Sequence, residues 1–564
     1  MGSKKKRRAP TGPRVVPQPE PAAWDPRREK AAVWGFGALL ALATSLPYLI
    51  AWASAAPGEV FTGIAFNSTD TNQYLAWIRD GARGEVIFTN RYTPEPTPPA
   101  FFVPFFLVLG WISRLTGLPA VAVFHGARVL LVPALVRVVH WFSGLFLAST
   151  RDRFLATGLA VTMGGLGLPL HALGVSFGDK LMEMPIDFWV PEAFVFQTLY
   201  TYPHLVLATA LMLLAIGHAK QALAASARRR VALSWASAFG LALVHPFDLV
   251  PVYAVMIAFG AMALAREPVA WKRIVATLAI IGIASAPPAI AQLALLESSP
   301  GLEGFFAQNR QTVLGAAQFA LGMGLPLLAA PVLLLFGLAA RRGSSGAIAQ
   351  PLAHLCLVLA LVFLSSFDLR RRFLMGIDVP LAIVLAWSLR ACLDALRANG
   401  RAAAGAAFAF ILLCAPGSAL KMAHDHETQL AADAKPRARY YHTGPQRDLY
   451  AFLGEKSTAA DVTLTDPITG NELPAYADTR VFVGHWAYTR DYRDKVREWN
   501  ALKDPASGAA MLGNLVTRHG ITFVALVRAR DRESRLEALL RGRPDLEPVF
   551  ENAAGVIFRV TFKP

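Results

Sequence analysis

Charge is scarce in this 564-residue sequence: Asp, Glu, Lys and Arg together make up 17%. Soluble domains carry about a quarter, so an ordinary water-soluble protein is excluded. Acidic residues are scarcer than basic ones, 39 against 55, leaving a net charge of +16. Cysteine is scarcer still. Cys356, Cys392 and Cys414 all lie in apolar runs, and none has CxxC or metal-ligand spacing. That excludes a disulfide framework and a cysteine-bound metal. No internal repeat is visible. No cleavable leader is visible either, because the apolar segment after the N-terminal basic stretch is too long, running from about Ala31 to Ala55.

What the sequence has instead is hydrophobic length. Hydrophobic residues make up 54%, and the mean hydropathy is +0.40. The excess gathers between about residues 32 and 422 in runs of roughly 18–28 residues, the length at which a helix crosses a bilayer. The runs lie near 31–55, 119–148, 154–172, 197–217, 231–247, 248–265, 273–296, 313–340, 351–367, 374–398 and 402–422. A further stretch, 99–115, is apolar but short. If it spans, the clusters at Arg151–Arg153, Arg228–Arg230, Lys272–Arg273 and Arg341–Arg342 all face outward, against the positive-inside rule. If it lies on the outer face, all four face the cytoplasm. The second arrangement is adopted, giving about eleven transmembrane helices. Most Lys and Arg sit at the ends of the runs, so the basic balance reflects topology and no nucleic-acid partner is expected.

The chain therefore reads as a mainly α, polytopic membrane protein with a small C-terminal α/β soluble domain. Residues 1–30 are expected to be a disordered basic cytoplasmic tail. Residues 31–422 form the membrane domain, with a first outer loop at 56–118. Residues 423–564 fall outside the membrane, where DVTLTDP, TRVFVG, ITFVALV and GVIFRVTF read as strands and the segments between as helices.

This topology gathers the unusual polar residues on the outer face. The first loop carries Asp70, Asn72, Tyr74, Arg79 and Asp80, and the second carries Asp179, Glu183, Asp187 and Glu192. His204, His245, Asp248 and Glu303 reach the same side. Arg370, Arg371 and Arg372 also fall outside, where three arginines need an anionic partner unless the helix count is off by one. Ionisable groups beside a membrane cavity are first read as functional. A carboxylate can take an acceptor's proton, and arginines can hold a departing phosphate. Each residue has a plainer reading as well. Asp70 with Gln73 could form a capping box, Asp80-Gly81 a turn, His204 and His245 structural contacts, and Asp187 and Glu192 solvated loop charges. Tyr74, Trp77, Phe188 and Trp189 suit either sugar stacking or the lipid interface.

An uncleaved first helix, an acidic outer loop and the Pro-bounded EPTPPAFFVPFFLVLGWISRLTGLP together resemble the C-type (GT-C) membrane glycosyltransferases. FHGARVLLVPALVRVVHWF resembles their second span and PIDFWVPEAF their second acidic loop. RVFVGHWAYTRDYRDK with HGITFVALV is similar to the soluble domain closing many bacterial members. The resemblance covers most of residues 31–564. It implies a polyprenyl-phosphate-linked sugar donor, a glycan, lipid or protein acceptor, inversion at the anomeric carbon, and a bacterial inner membrane with the C-terminal domain periplasmic. It places the general base at Asp70. Asn72, Tyr74, Asp187, Glu192, His204, His245, Arg370, Arg371, Arg372 and His485 are the candidate substrate contacts. Asp70-Thr71-Asn72 lacks a second carboxylate, so a divalent cation is disfavoured and no cofactor is required. The WWDYG string of oligosaccharyltransferases is missing, which disfavours peptide acceptors. A transporter or flippase for a lipid-linked glycan, and an assembly protein, are the competing readings. No inverted repeat supports the former, and the latter leaves the outer acids and arginines unused.

Overall fold

The computed structural model describes residues 25–561, apart from 179, 226, 303–304, 311–313, 341–344, 431–436, 505–507 and 531–535. The tail up to residue 24, Asp179, Glu303 and the Arg341–Arg342 cluster lie outside the described residues.

In lipid each backbone group has to pair within its own segment, so the apolar runs coil into helices. Asp25 opens α1 (Pro26–Ala53) by accepting the Arg27 N–H, with proline in the first turn. The first outer loop holds α2 (Ser68–Arg83) and α3 (Pro104–Thr116). At 13 residues, α3 is shorter than a span requires. It packs on α2 through Gly110, where an added Cβ would stand 2.7 Å from the Gly81 backbone. The membrane bundle continues with α4 (Ala120–Ser143), α5 (Thr150–Thr162), α6 (Gly167–Ala172), α7 (Val195–Thr201) and α8 (Pro203–Ala224). After these come α9 (Arg228–Val244), α10 (Leu249–Arg266), α11 (Trp271–Ser285), α12 (Pro287–Glu297) and the short α13 (Phe305–Gln308). The bundle closes with α14 (Ala316–Ala340), α15 (Ala349–Leu364), α16 (Asp378–Ala395), α17 (Gly400–Cys414) and α18 (Pro416–Asp425). Among the described residues, eight helical stretches are long and apolar enough to cross a membrane. The runs expected near 154–172, 231–247 and 351–367 form the shorter α5, α9 and α15, which are not among the eight.

Several runs expected as single helices are broken. Pro203, Pro287 and Pro416 each start a new helix, because proline cannot donate to the preceding turn. The run at 154–172 breaks between α5 and α6, and α14 kinks at Gly324, where φ is 60°. Three of these breaks interlock. Gly164 donates its N–H to Cys414 and Leu166 to Leu321, and the Ser418 hydroxyl donates to the Met163 carbonyl at 2.9 Å. Glycine is needed here because a Cβ on Gly165 would meet the Gly322 carbonyl oxygen at 1.9 Å. The freed backbone groups are thus paired inside the protein, as irregular backbone among membrane helices requires.

The C-terminal region contains a five-stranded sheet in the order β4-β3-β5-β7-β6. Its strands are β3 (Val462–Leu464), β4 (Arg480–Val481), β5 (Phe523–Val527), β6 (Leu546–Asn552) and β7 (Gly555–Val560). β3 runs parallel to β4 and β5, while β5–β7 and β6–β7 are antiparallel. Val462, Leu464, Val524, Leu526, Val556 and Phe558 are buried against Trp499 and Leu515. The sheet is tied to the first outer loop. β1 (Glu59–Phe61) pairs with β2 (Tyr441–Thr443), the buried Arg91 bridges Asp80 and the Asp478 carbonyl, and Lys495 binds Glu95 at 2.7 Å. These ties hold the first outer loop, α2 included, against the C-terminal region.

Candidate active site

Asp70 occupies the third position of α2. The helix is capped by Asn67, a non-glycine residue in the left-handed region (φ 43°), whose side-chain oxygen accepts the Asp70 N–H at 3.4 Å. In return the Asn67 amide nitrogen donates to Asp70 Oδ2 at 2.7 Å. The cap is therefore Asn67, and Asp70 fills the third place of a capping box. Its other oxygen, Oδ1, lies 3.0 Å from His485 Nε2. His485 follows β4 in Gly484-His485-Trp486, is 2% exposed, and packs edge-on against Tyr488. Its Nδ1 accepts the Ala487 N–H at 3.0 Å, so the ring proton sits on Nε2 and is donated to Asp70. Burial pushes the Asp70 carboxyl up, but the His485 hydrogen bond, the Asn67 amide and the charge of Arg372 outweigh it. The net result is a carboxylate held below its usual range. The Asp70 side chain nonetheless keeps a third of its surface open, so an ionised base is presented to an accessible space.

Around it stands an aromatic wall. Tyr74 stacks on Phe106 (centroids 4.8 Å apart, 9° between planes), and His204 meets Tyr74 edge-on at 4.7 Å. The Tyr74 and Tyr488 hydroxyls are both pushed up, chiefly by burial and then by the Asp70 charge, so they stay protonated. His204 Nδ1 is buried without a partner among the described residues. Asn72 points elsewhere, donating to Asn471 at 2.9 Å and joining α2 to the C-terminal region.

The three arginines occupy one turn, Arg370–Leu374, and have different surroundings. Arg370 donates to the Ser365 carbonyl. Arg371 lies over the Trp189 ring at 4.8 Å, within electrostatic reach of Glu192 and Asp70. Arg372 lies over Phe247 at 5.0 Å, and its charge reaches Asp70. Arg371 Nε, Arg372 Nε and Glu192 Oε2 are buried and lack a partner among the described residues. Buried polar groups are normally satisfied, which makes this set a candidate for ligand contacts. His245 contacts Asp248 at 3.0 Å, beside the Phe247 that supports Arg372.

Asp187 stands apart. Its Oδ2 accepts the Leu168 N–H at 3.0 Å, and its backbone carbonyl accepts from Gln197. It thereby pins the interlocked glycines of the α5–α6 break, and burial raises its carboxyl to about 7. Lys421 and Asp425, a buried pair one turn apart on α18, and Asp378, which accepts the Val195 N–H at 2.8 Å, were not singled out from the sequence. Their only signal was a charge inside an apolar run. Among the described residues no group of three or more His, Cys, Asp or Glu converges as a metal site.

No family model and no curated protein matches the chain. Solved structures do. One is an oligosaccharyltransferase of Archaeoglobus fulgidus tethered with an acceptor peptide. It is 12% identical with a TM-score of 0.52, and the match covers 95% of this chain and 74% of that one. Another is ArnT of Cupriavidus metallidurans bound to undecaprenyl phosphate. It too is 12% identical, with a TM-score of 0.51, and the match covers 93% of this chain and 98% of that one. At such identity the likeness is one of fold. The chain shares its fold with these two structures.

Proposed function

We propose that this protein is a membrane glycosyltransferase that moves a sugar from a polyprenyl-phosphate donor to an acceptor hydroxyl with inversion. The observation that carries the reading is the pairing of an ionised, partly open Asp70 with Arg371 and Arg372, whose buried Nε groups have no partner among the described residues. The ArnT structure of like fold holds undecaprenyl phosphate, which agrees with a lipid-phosphate donor.

In the proposed step the acceptor oxygen attacks the anomeric carbon while the bond from that carbon to the phosphate oxygen breaks. Asp70 takes the hydroxyl proton. Arg371 and Arg372 stabilise the negative charge that collects on the departing lipid phosphate. His485 acts through Asp70: its Nε2–H fixes one carboxylate oxygen and leaves the base ionised. The aromatic wall of Tyr74 and Phe106 offers a face to the sugar. Both oxygens of Asp70 already receive donors, and Asn72 supplies an amide in place of a second carboxylate, which supports a metal-independent mechanism. Residues 423–564 form the outer domain over the site, with the N-terminus in the cytoplasm and the C-terminus outside.

The test is transfer from radiolabelled polyprenyl-phosphate sugars to membrane-extract acceptors, with and without chelator. Wild type transfers label and Asp70→Asn does not. Arg371→Ala and Arg372→Ala weaken transfer by about 10²-fold or more, the scale of a lost preorganised donor. Equal transfer by wild type and Asp70→Asn would refute the assignment, and loss of transfer on chelation would overturn metal independence.

A further inference from the structure

At the other end of the bundle lies a second site with different chemistry. The helix α1 carries Ala51, whose carbonyl accepts from Tyr441 on the outer side, and also Glu29, about 33 Å away along the axis. That distance is about the thickness of a bilayer's hydrocarbon core. Around Glu29 is a cavity of about 290 Å³ between α1, α4 and α5, lined by Glu29, Lys30, Arg137, His140, Trp141 and Arg153 among others. Its inner wall is already satisfied. Glu29 Oε1 accepts from His140 at 2.8 Å and from Arg153 at 3.1 Å, and Thr150 donates to Oε2 at 3.3 Å. Arg153 also donates to the Leu147 and Ala148 carbonyls. Glu29 thus balances Arg153, and Arg153 cannot turn away to serve another partner. Lys30 and Arg137 remain, two cations on one concavity with no acidic partner among the described residues.

We infer that this cavity binds a phosphate anion, namely the headgroup phosphate of an anionic phospholipid in the leaflet opposite the Asp70 site. Two uncompensated cations at the mouth of a pocket at membrane depth suit a phosphodiester. The indole of Trp141 in the wall suits the lipid interface, where such rings gather. Free phosphate shares the charge but brings no acyl chains to lie along α1 and α4. The site is independent of the proposed transfer reaction.

The experiment uses the full chain, delipidated in detergent, with its thermal midpoint followed during titration. The titrants are phosphatidylglycerol, phosphatidylcholine and inorganic phosphate. Phosphatidylglycerol should raise the midpoint saturably, with little effect from the other two. Each basic residue contributes roughly fivefold to anionic-lipid attraction, so Lys30→Ala/Arg137→Ala should bind phosphatidylglycerol about 25-fold more weakly. Lys30→Gln alone should lose about fivefold, which covers the case in which the double variant does not fold. Arg228→Ala/Arg229→Ala removes the same charge from exposed positions at the start of α9, on the same face, and should stay close to wild type. Stabilisation by inorganic phosphate alone, unchanged binding by the Lys30 and Arg137 variants, or equal loss in the α9 control would each overturn the inference.

Discussion

Replacing His485 by alanine isolates what the C-terminal region adds to Asp70. The variant removes the Nε2–H donor 3.0 Å from Oδ1 and leaves the Asn67 amide in place at 2.7 Å from Oδ2. A hydrogen bond to a charged group contributes about 1.5–3 kcal/mol. Because a third of the Asp70 side chain is open, solvent screening places the effect at the lower end, or about tenfold in holding the carboxylate in its productive orientation. Turnover should therefore fall about tenfold at the optimum pH while the donor KM stays constant, since the arginines are untouched. The pH profile should move too. Burial alone raises the Asp70 carboxyl, and the His485 hydrogen bond is the foremost of the contacts that reverse it. Without His485 the base protonates at higher pH, so the acidic limb of kcat/KM moves upward. His485→Gln places an amide N–H close to the Nε2 position and should restore both turnover and the limb. The reasoning is refuted if His485→Ala keeps the wild-type limb and turnover, or if glutamine is as impaired as alanine.

Two further outcomes concern stability. Within the C-terminal region Glu472 is buried against Arg530 at 2.8 Å, His442 at 3.3 Å and the Tyr450 hydroxyl at 2.6 Å. Burial pushes its carboxyl up, yet Arg530 and His442 hold it at about 2. Arg530→Ala removes the nearer of the two basic partners of a buried carboxylate and should cost about 3–5 kcal/mol, read as a lower thermal midpoint of the full chain. The stabilisation is fully present above the usual carboxyl value of 4.5 and is lost as pH falls through about 2, so the wild-type advantage should shrink over that window. Gly165→Ala forces a Cβ to 1.9 Å from the Gly322 carbonyl and 2.5 Å from the Asp187 carboxylate. It should lower the midpoint by more than the ordinary overpacking cost of about 1–3 kcal/mol. Gly35→Ala, whose added Cβ meets nothing beyond its own helix within 4 Å among the described residues, should leave it nearly unchanged.

How much of this was legible in the sequence differs between fold and site for a physical reason. Spans follow from hydrophobic length, a local property, and the charge clusters are the reason to expect α3 on the outer surface, since that choice puts them in the cytoplasm and the other puts them outside. The interlocked breaks at Gly164–Gly165, Gly324 and Gly417 were not legible. Glycine signals possible close approach without naming the partner, and here the partners lie on three separate helices. The same limit applies to Asp70. Its loop marked it as a candidate, but its ionisation depends on His485, 415 residues away in the chain. That contact depends on β1–β2, Arg91, Lys495 and Asn72 drawing the C-terminal region onto the first loop. Arg370, Arg371 and Arg372 are identical as residues and adjacent in sequence, yet they separate once the turn is formed. Arg370 is spent on a carbonyl, while Arg371 and Arg372 rest on Trp189 and Phe247 with Nε groups that have no partner among the described residues. A single turn points neighbouring side chains in different directions, so a run of like residues can mark where an anion goes without saying which of them holds it. In the proposed mechanism the aromatic supports make that choice, and they come from two other loops.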